Sequence, residues 1–257
     1  MAKIQIIPIA SGSTGNSMYL KVGTYEILVD VGVSYRKIQN ALSKNHIDVN
    51  ALNAIFITHT HSDHISGLST LTKSVKTSIF GSIDTANNLM GSGMQGLPFN
   101  EEIEIDDNFV VSLIPTSHDC LGSCGFVFKF KNIKIVYLTD LGYVDEDIYL
   151  QIKGADLAIL ESNHDLEMLK KGDYPELLKR RILSTGGHLS NVACSKLVKL
   201  MSKNGTKYFM LAHLSRENNT PELAYKESKK QVGKNVEIKI LPVSSNELWE
   251  LNIKKAR

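Results

Sequence analysis

Four apolar runs of this chain end on a residue that can ligate a metal. Ala54–Ile57 leads into His59, Phe109–Ile114 into His118, Ile133–Leu138 into Asp140 and Tyr208–Leu211 into His213. A fifth run, Leu157–Leu160, ends in Glu161. Short apolar runs bounded by turn residues read as buried strands. Strands that end at one edge of a sheet share a rim, and ligands gather there. A polar residue capping one strand needs no explanation. Four metal-competent caps together point to a site along a strand rim.

The first of these ends is the densest. Thr58-His59-Thr60-His61-Ser62-Asp63-His64 places four metal-competent side chains within six residues, on a loop held by a strand. The spacing offers two adjacent ligand sets. His59 and His61 can point at one ion, while Asp63 and His64 turn to a second. Two ions about 3.5–4 Å apart can share a hydroxide and clamp a phosphodiester or acyl group. The bland alternative is a polar turn with exposed histidines, and it leaves the other strand ends unexplained.

Bulk properties exclude several classes. The 257 residues suit one large α/β domain or two small ones, and the reading taken is a single domain over residues 1–257. Hydrophobic residues make up 42%, enough for a sizeable core, and no run approaches the ~18 apolar residues that span a bilayer. A net charge of +2 does not mark a nucleic-acid binder, so any such attraction must be local. Three cysteines, Cys120, Cys124 and Cys194, and no secretory leader argue against a disulfide framework and for a reducing, cytoplasmic location. Cys120 and Cys124 read as incidental thiols rather than a zinc pair.

Along the chain, strands are expected at Ile4–Ile9, Ser17–Val22 and Tyr25–Val31, then a helix from Ser34 through Leu42. The Ala54–Ile57 strand delivers the histidine cluster, and His64–Thr72 reads as a helix beginning inside it. Gly125–Phe130 and Ile133–Leu138 form a hairpin turning at Lys131-Asn132. Helices are expected over Pro175–Leu183, Asn191–Met201 and Thr220–Val232, with strands at Val236–Leu241 and around Glu247–Ile253.

A ligand partition follows from the residue types. One ion takes His59, His61 and His118; the second takes Asp63, His64 and His213; Asp140 can bridge both. Imidazole and carboxylate donors suit zinc and manganese alike. Two divalent ions against Asp63, Asp140 and a hydroxide leave a positive balance, which favours an anionic substrate. Asp63 can also orient the hydroxide or relay its proton.

The set Thr58–His64, His118, Asp140 and His213 resembles the metallo-β-lactamase superfamily. That resemblance implies an αββα sandwich of two mixed β-sheets flanked by helices, with a dinuclear centre. Lactamases proper usually place Cys where Asp140 stands, and flavodiiron members place Glu where His61 stands. Both departures point toward hydrolases acting on phosphodiesters or thioesters. Ala10–Ser17, Glu161–Asp165, Tyr174-Pro175 with Lys179-Arg180-Arg181, Gly187–Asn191 and Ala212–Asn219 further resemble the YycJ/WalJ-type exonuclease group. The implication is a bacterial cytoplasmic 5′-to-3′ DNA exonuclease using two divalent ions, Zn or Mn, and linked to DNA repair, with repair proteins as partners.

Other residues are candidates for substrate. Ser11, Ser13 and Asn16 lie in a Gly/Ser loop that can cradle phosphate with its N–H groups, or simply form a tight turn. His188 opens a helix for which Ser190 or Asn191 is the expected N-cap; it can protonate a leaving oxygen or hold phosphate beside Ser190 and Asn191. His164 can orient a ligand histidine or face substrate. Lys179-Arg180-Arg181 can hold a nucleic-acid backbone or be a solvated face. His46 reads as solvated and Trp249 as packing. Competing readings are thioester or lactam hydrolysis, action on RNA or a cyclic phosphodiester at the same centre, and a binding module with a vestigial site.

Overall fold

The computed structural model describes residues 2–253. The strands are β1 (Ala2–Ala10), β2 (Ser17–Val22), β3 (Tyr25–Val29), β4 (Ala54–Phe56), β5 (Ser78–Gly81) and β6 (Leu97–Pro98). They continue with β7 (Glu102–Asp106), β8 (Phe109–Pro115), β9 (Cys124–Phe130), β10 (Ile133–Leu138), β11 (Leu157–Glu161), β12 (Tyr208–Ala212), β13 (Glu237–Ile240) and β14 (Trp249–Ile253). The helices are α1 (Tyr35–Lys44), α2 (Ser62–Ile65), α3 (Leu68–Ser74), α4 (Ile83–Gly91), α5 (Glu146–Ile152), α6 (Leu166–Lys171), α7 (Glu176–Leu183), α8 (Asn191–Lys203) and α9 (Pro221–Lys229).

These elements fall into two compact units, where the sequence reads as one domain. The first takes in the chain up to Asn100, Cys120–Gly122 and the chain from Pro242; the second is Glu101–Asp119 and Ser123–Leu241. Each is built on one seven-stranded mixed sheet, in the orders β14-β1-β2-β3-β4-β5-β6 and β13-β12-β11-β10-β9-β8-β7. This is the α/β class with two mixed sheets flanked by helices that the resemblance implies, and the strand-end pattern agrees with it.

The sheets repeat one plan. In the first, β1, β2 and β3 run antiparallel and β3 through β6 run parallel. In the second, β7 through β10 run antiparallel and β10 through β13 parallel. The parallel strands β10, β11 and β12 end at a common edge, so Asp140, Glu161 and His213 emerge side by side.

Each unit has its own core. In the first, Ile38, Ala41 and Leu42 of α1 and Leu68 and Leu71 of α3 pack on Ile7, Ile9, Leu28 and Ile55. In the second, Cys194, Leu197, Val198 and Met201 recur along one face of α8 and pack with Ala224, Leu138, Leu160 and Leu211. Full burial of such a side chain stabilises by about 1.5–3 kcal/mol. Ser34 Oγ accepts from Lys37 N at 3.4 Å and Ser190 Oγ from Ala193 N at 3.2 Å, capping their helices, while Thr220, read as the first residue of its helix, is instead its cap, accepting from Leu223 N at 3.2 Å. Ser190, rather than Asn191, is thus the cap of α8.

The expected helix over His64–Thr72 is instead two, α2 and α3. Gly67 N donates to Val31 O at 2.9 Å, which diverts the backbone out of the first helix. β3 stops at Val29 because Asp30 turns into the left-handed region at φ 59°. Strand β5 and helices α4 and α5 fill stretches the sequence left unassigned. His46 is exposed and the three cysteines are free, as read. Among the described residues no helix is long and apolar enough to cross a membrane.

Candidate metal-binding half-sites

The seven expected ligands divide between the units: His59, His61, Asp63 and His64 in the first, His118, Asp140 and His213 in the second.

In the first unit the cluster follows β4, beside the end of β3. Asp30, at the end of β3, is fully buried. Its Oδ1 accepts from Thr58 N at 2.9 Å, and both its oxygens lie 3.1 Å from Thr58 Oγ1. Its Oδ2 is 2.8 Å from His64 Nδ1. Burial pushes the Asp30 carboxyl up, while the His64 ring and the Thr58 donors draw it back. His59 Nδ1 is 3.0 Å from Thr58 Oγ1. A consistent proton arrangement has His59 Nδ1–H donating to the Thr58 hydroxyl, that hydroxyl donating to Asp30, and His64 Nδ1–H donating to the same carboxylate. Both imidazoles then present Nε2 lone pairs, the tautomer a metal requires.

The loop Ser11–Ser17 supports this arrangement. Asn16 is buried, and its Nδ2 lies 3.3 Å from Asp63 Oδ2 and 3.0 Å from His64 Nε2. Its Oδ1 accepts from Gly12 N at 2.9 Å, and its backbone N donates to Asp63 O at 2.7 Å. The Asn16 side chain is therefore directed at the ligand loop. Ser11 is buried and Ser13 exposed.

In the second unit Glu161 is the hub, fully buried at the end of β11. Its Oε1 lies 2.8 Å from both His188 Nδ1 and His213 Nδ1. Its Oε2 accepts from Leu189 N at 3.0 Å and Leu141 N at 3.2 Å. Asp140 Oδ1 is 3.4 Å from His213 Nδ1, 3.6 Å from His188 Nδ1 and 4.0 Å from His118 Nε2. One ligand atom each from Asp140, Glu161, His188 and His213 lies within 4.8 Å of every other. Burial opposes the Glu161 charge, but the His188 and His213 rings outweigh it and hold the carboxyl well below its usual range. For His188, burial again works against the charged form, yet Glu161 lifts the ring to about 9. Burial lowers His118, with Asp140 pulling the other way.

The motifs singled out from the sequence meet around this hub. Asn163 Nδ2 donates to His213 O at 2.9 Å, and Asn163 N to Leu189 O at 2.8 Å. Asn219 Nδ2 donates to Ser162 O at 2.8 Å and to Asn191 Oδ1 at 2.9 Å, while Asn191 Nδ2 returns a bond to Asn219 Oδ1 at 2.8 Å. Asn191 and Ser190 thus belong to the scaffold that holds His188 and His213 in place. His164 is 1% exposed and neither ring nitrogen has a hydrogen-bond partner among the described residues; burial lowers it to about 4. Arg181 pairs with Asp119 at 2.5 Å and Lys179 with Glu176 at 3.1 Å, so of the basic trio Arg180 is the exposed cation that makes no ion pair among the described residues.

Asp30, Asp140 and His213 all have positive φ, at 59°, 56° and 57°. Such backbone is sparsely populated outside glycine and concentrates at functional sites. Sequence reasoning missed Asp30 and did not foresee that Glu161 is a hub. Asp30 carried a usable signal, as one more acid at a strand end, but the apolar neighbours Val29 and Val31 masked it.

The donor set fits a divalent cation. His59 Nε2 and His61 Nδ1 converge to 3.0 Å, and carboxylates fix the far nitrogens of His64 and His213. A family model, the beta-lactamase superfamily domain, matches residues 25–214. The chain belongs to that family, as a metallo-hydrolase of the metallo-β-lactamase fold. Within it the chain is 35% identical over 229 residues to exodeoxyribonuclease YycJ of Bacillus anthracis, covering 84% of each chain. It is 35% identical over 225 residues to exodeoxyribonuclease WalJ of Streptococcus pneumoniae, again covering 84% of each. The group named from the sequence motifs is therefore the right one. The fold also matches the crystal structure of the metallo-β-lactamase fold protein YhfI from Bacillus subtilis, at 18% identity and a TM-score of 0.73, covering 97% of this chain and 100% of that one.

Proposed function

We propose that this metallo-hydrolase is a 5′-to-3′ DNA exonuclease of the cytoplasm that cuts phosphodiester bonds with two divalent ions, zinc or manganese, and serves DNA repair. The observation that carries the reading is the pair of pre-oriented histidine sets, one on Asp30 and one on Glu161, in a chain similar along most of its length to two exodeoxyribonucleases.

The residues that would hold the ions are His59, His61, Asp63, His64, His118, Asp140 and His213. When bound, the ions supply an acidified water and positive charge for the phosphate. The rest of the work falls to the chain. Asp30, directly for His64 and through Thr58 for His59, keeps both rings in the ligating tautomer. Asp63, steadied by Asn16, takes a proton from the attacking water. Glu161 fixes the ring of His188 through Nδ1, leaving Nε2 to hand a proton to the leaving oxygen. His188 is partly exposed, its side chain at 20%, as a group that meets substrate must be. Ser13, exposed on the Ser11–Ser17 loop, offers its hydroxyl to a phosphate oxygen.

The test is a panel of 5′-labelled duplex DNA, single-stranded DNA, RNA and a thioester. DNA should be shortened from its 5′ end, with activity lost in chelator and regained with Mn²⁺ or Zn²⁺. Preference for RNA or the thioester, or nuclease activity that survives full metal removal, overturns the reading.

A further inference from the structure

The second unit carries a cleft of about 430 Å³ that the mechanism does not use. Its walls are α5 with the loop before it and one side of α8, including Tyr143, Val144, Tyr149, Ala193, Leu200 and the edge of the core residue Leu197. Tyr143 is 43% exposed and Leu200 48% exposed, so an apolar, aromatic surface faces solvent. The Tyr149 ring is held in place: its hydroxyl donates to Leu200 O at 3.3 Å and accepts from Asn204 Nδ2 at 2.7 Å.

The inner end of the cleft is made by the loops that carry catalytic candidates. Gly142 and Leu189 line it, two residues after Asp140 and one after His188. Gly142 N donates to Ser117 Oγ at 3.2 Å, the residue before His118. The loops are pressed together there: a Cβ at Gly142 would lie 2.2 Å from Thr185 O and 2.6 Å from Ser184 O. The inner end of the cleft is thus built from the backbone that directly follows Asp140 and His188.

We propose that this cleft seats the base of the nucleotide next to the phosphate being cut. The proposal rests on the phosphodiesterase reading above and extends it. The chemistry of the wall selects this occupant. Tyrosine rings and aliphatic side chains offer faces to a flat heterocycle, and stacking of that kind tolerates any base. The exposed Lys196 offers an ammonium to a neighbouring phosphate, and the exposed Glu146 a carboxylate to an exocyclic amine. The volume falls within the range usual for small-ligand clefts.

Two experiments decide the matter. The metal-loaded full chain is titrated with deoxyadenosine, and separately with deoxyribose, while backbone amide shifts are followed by NMR. Deoxyadenosine should move amides of residues 142–149 and 189–200, and deoxyribose should not. Tyr143→Ala and Leu200→Glu, both at exposed positions, should each weaken the nucleoside about tenfold. In the second experiment the substrate is DNA whose 5′-terminal nucleotide lacks its base. The wild type should show a KM raised about tenfold on this substrate, and Tyr143→Ala should show no such penalty. Shifts confined to other residues, or an abasic penalty that persists in Tyr143→Ala, overturn the proposal. If the protein cuts no DNA at all, the functional reading fails while the nucleoside titration still reports on the cleft.

Discussion

The two units solve the same problem from different materials. In both, a mixed sheet changes from antiparallel to parallel pairing, at β3 in the first and β10 in the second. In both, an aspartate beyond that strand adopts left-handed backbone, Asp30 at φ 59° and Asp140 at φ 56°. Their employment differs. Asp30 is the buried anchor of the first half-site, while Asp140 stands among the expected ligands and the anchor is Glu161 one strand over. The first half-site draws its candidate ligands from one short loop and has a single hub with a threonine relay. The second gathers ligands from separate strand ends, and its hub takes two imidazoles and two backbone N–H groups. Where the candidate ligands are scattered along the chain, the carboxylate has more partners and an asparagine lattice lies around it.

The largest effect should come from removing the more heavily engaged hub. Glu161→Gln keeps the shape but turns one acceptor oxygen into a donor facing groups that already donate. Breaking so buried a charged network costs about 3–5 kcal/mol. A fall in melting temperature, with loss of turnover, is the expected outcome, and an unchanged melting curve would show that the hub is dispensable.

Next in size is His188→Ala. Turnover should fall by about 10²–10⁴-fold, while metal content measured on the purified protein stays full. Loss of metal with this change would make His188 a ligand instead of a proton donor.

Asp30→Asn tests whether the first half-site has its own independent hub. A lost outer partner of a ligating histidine typically weakens metal binding about 10–100-fold. A chelator competition should show this loss, with a smaller drop in melting temperature than for Glu161→Gln. Equal drops would mean that partner number does not set the difference between the hubs.

The smallest effect should follow Ser190→Ala, which removes only the cap of α8. About 1 kcal/mol of stability should go, read by denaturant unfolding, with metal content unchanged. A cost of several kcal/mol would mean that the loop holding His188 depends on this one hydroxyl.

Legibility of the site in the sequence followed the same divide. His59 to His64 announce themselves because one strand end brings them together within six residues. Asp140 and His213 could be paired with them because each closes an apolar run. Asp30 could not, since Val29 and Val31 flank it and the run reads as strand straight through. Glu161 was visible as a strand end, but its partners lie 27 and 52 residues away, and spacing along a chain says nothing about contacts at that distance. Asn16 looked like a phosphate-loop residue; only the folded loop shows its amide reaching Asp63 and His64. The helix expected over His64–Thr72 broke at Gly67 because that residue's N–H goes to Val31, a tertiary contact no local pattern records.

By itself the sequence determined the strand-end placement of the candidate ligands, because apolar runs and their termini are local properties, and its motifs carried the resemblance that named the family and its α/β fold. Only the tertiary structure decided which carboxylate holds which imidazole, and that the apolar flank of α8 opens as a cleft beside Asp140 and His188. Hydrogen bonds between distant strand ends are set by how the sheet brings those ends together, and that is a property of the whole fold.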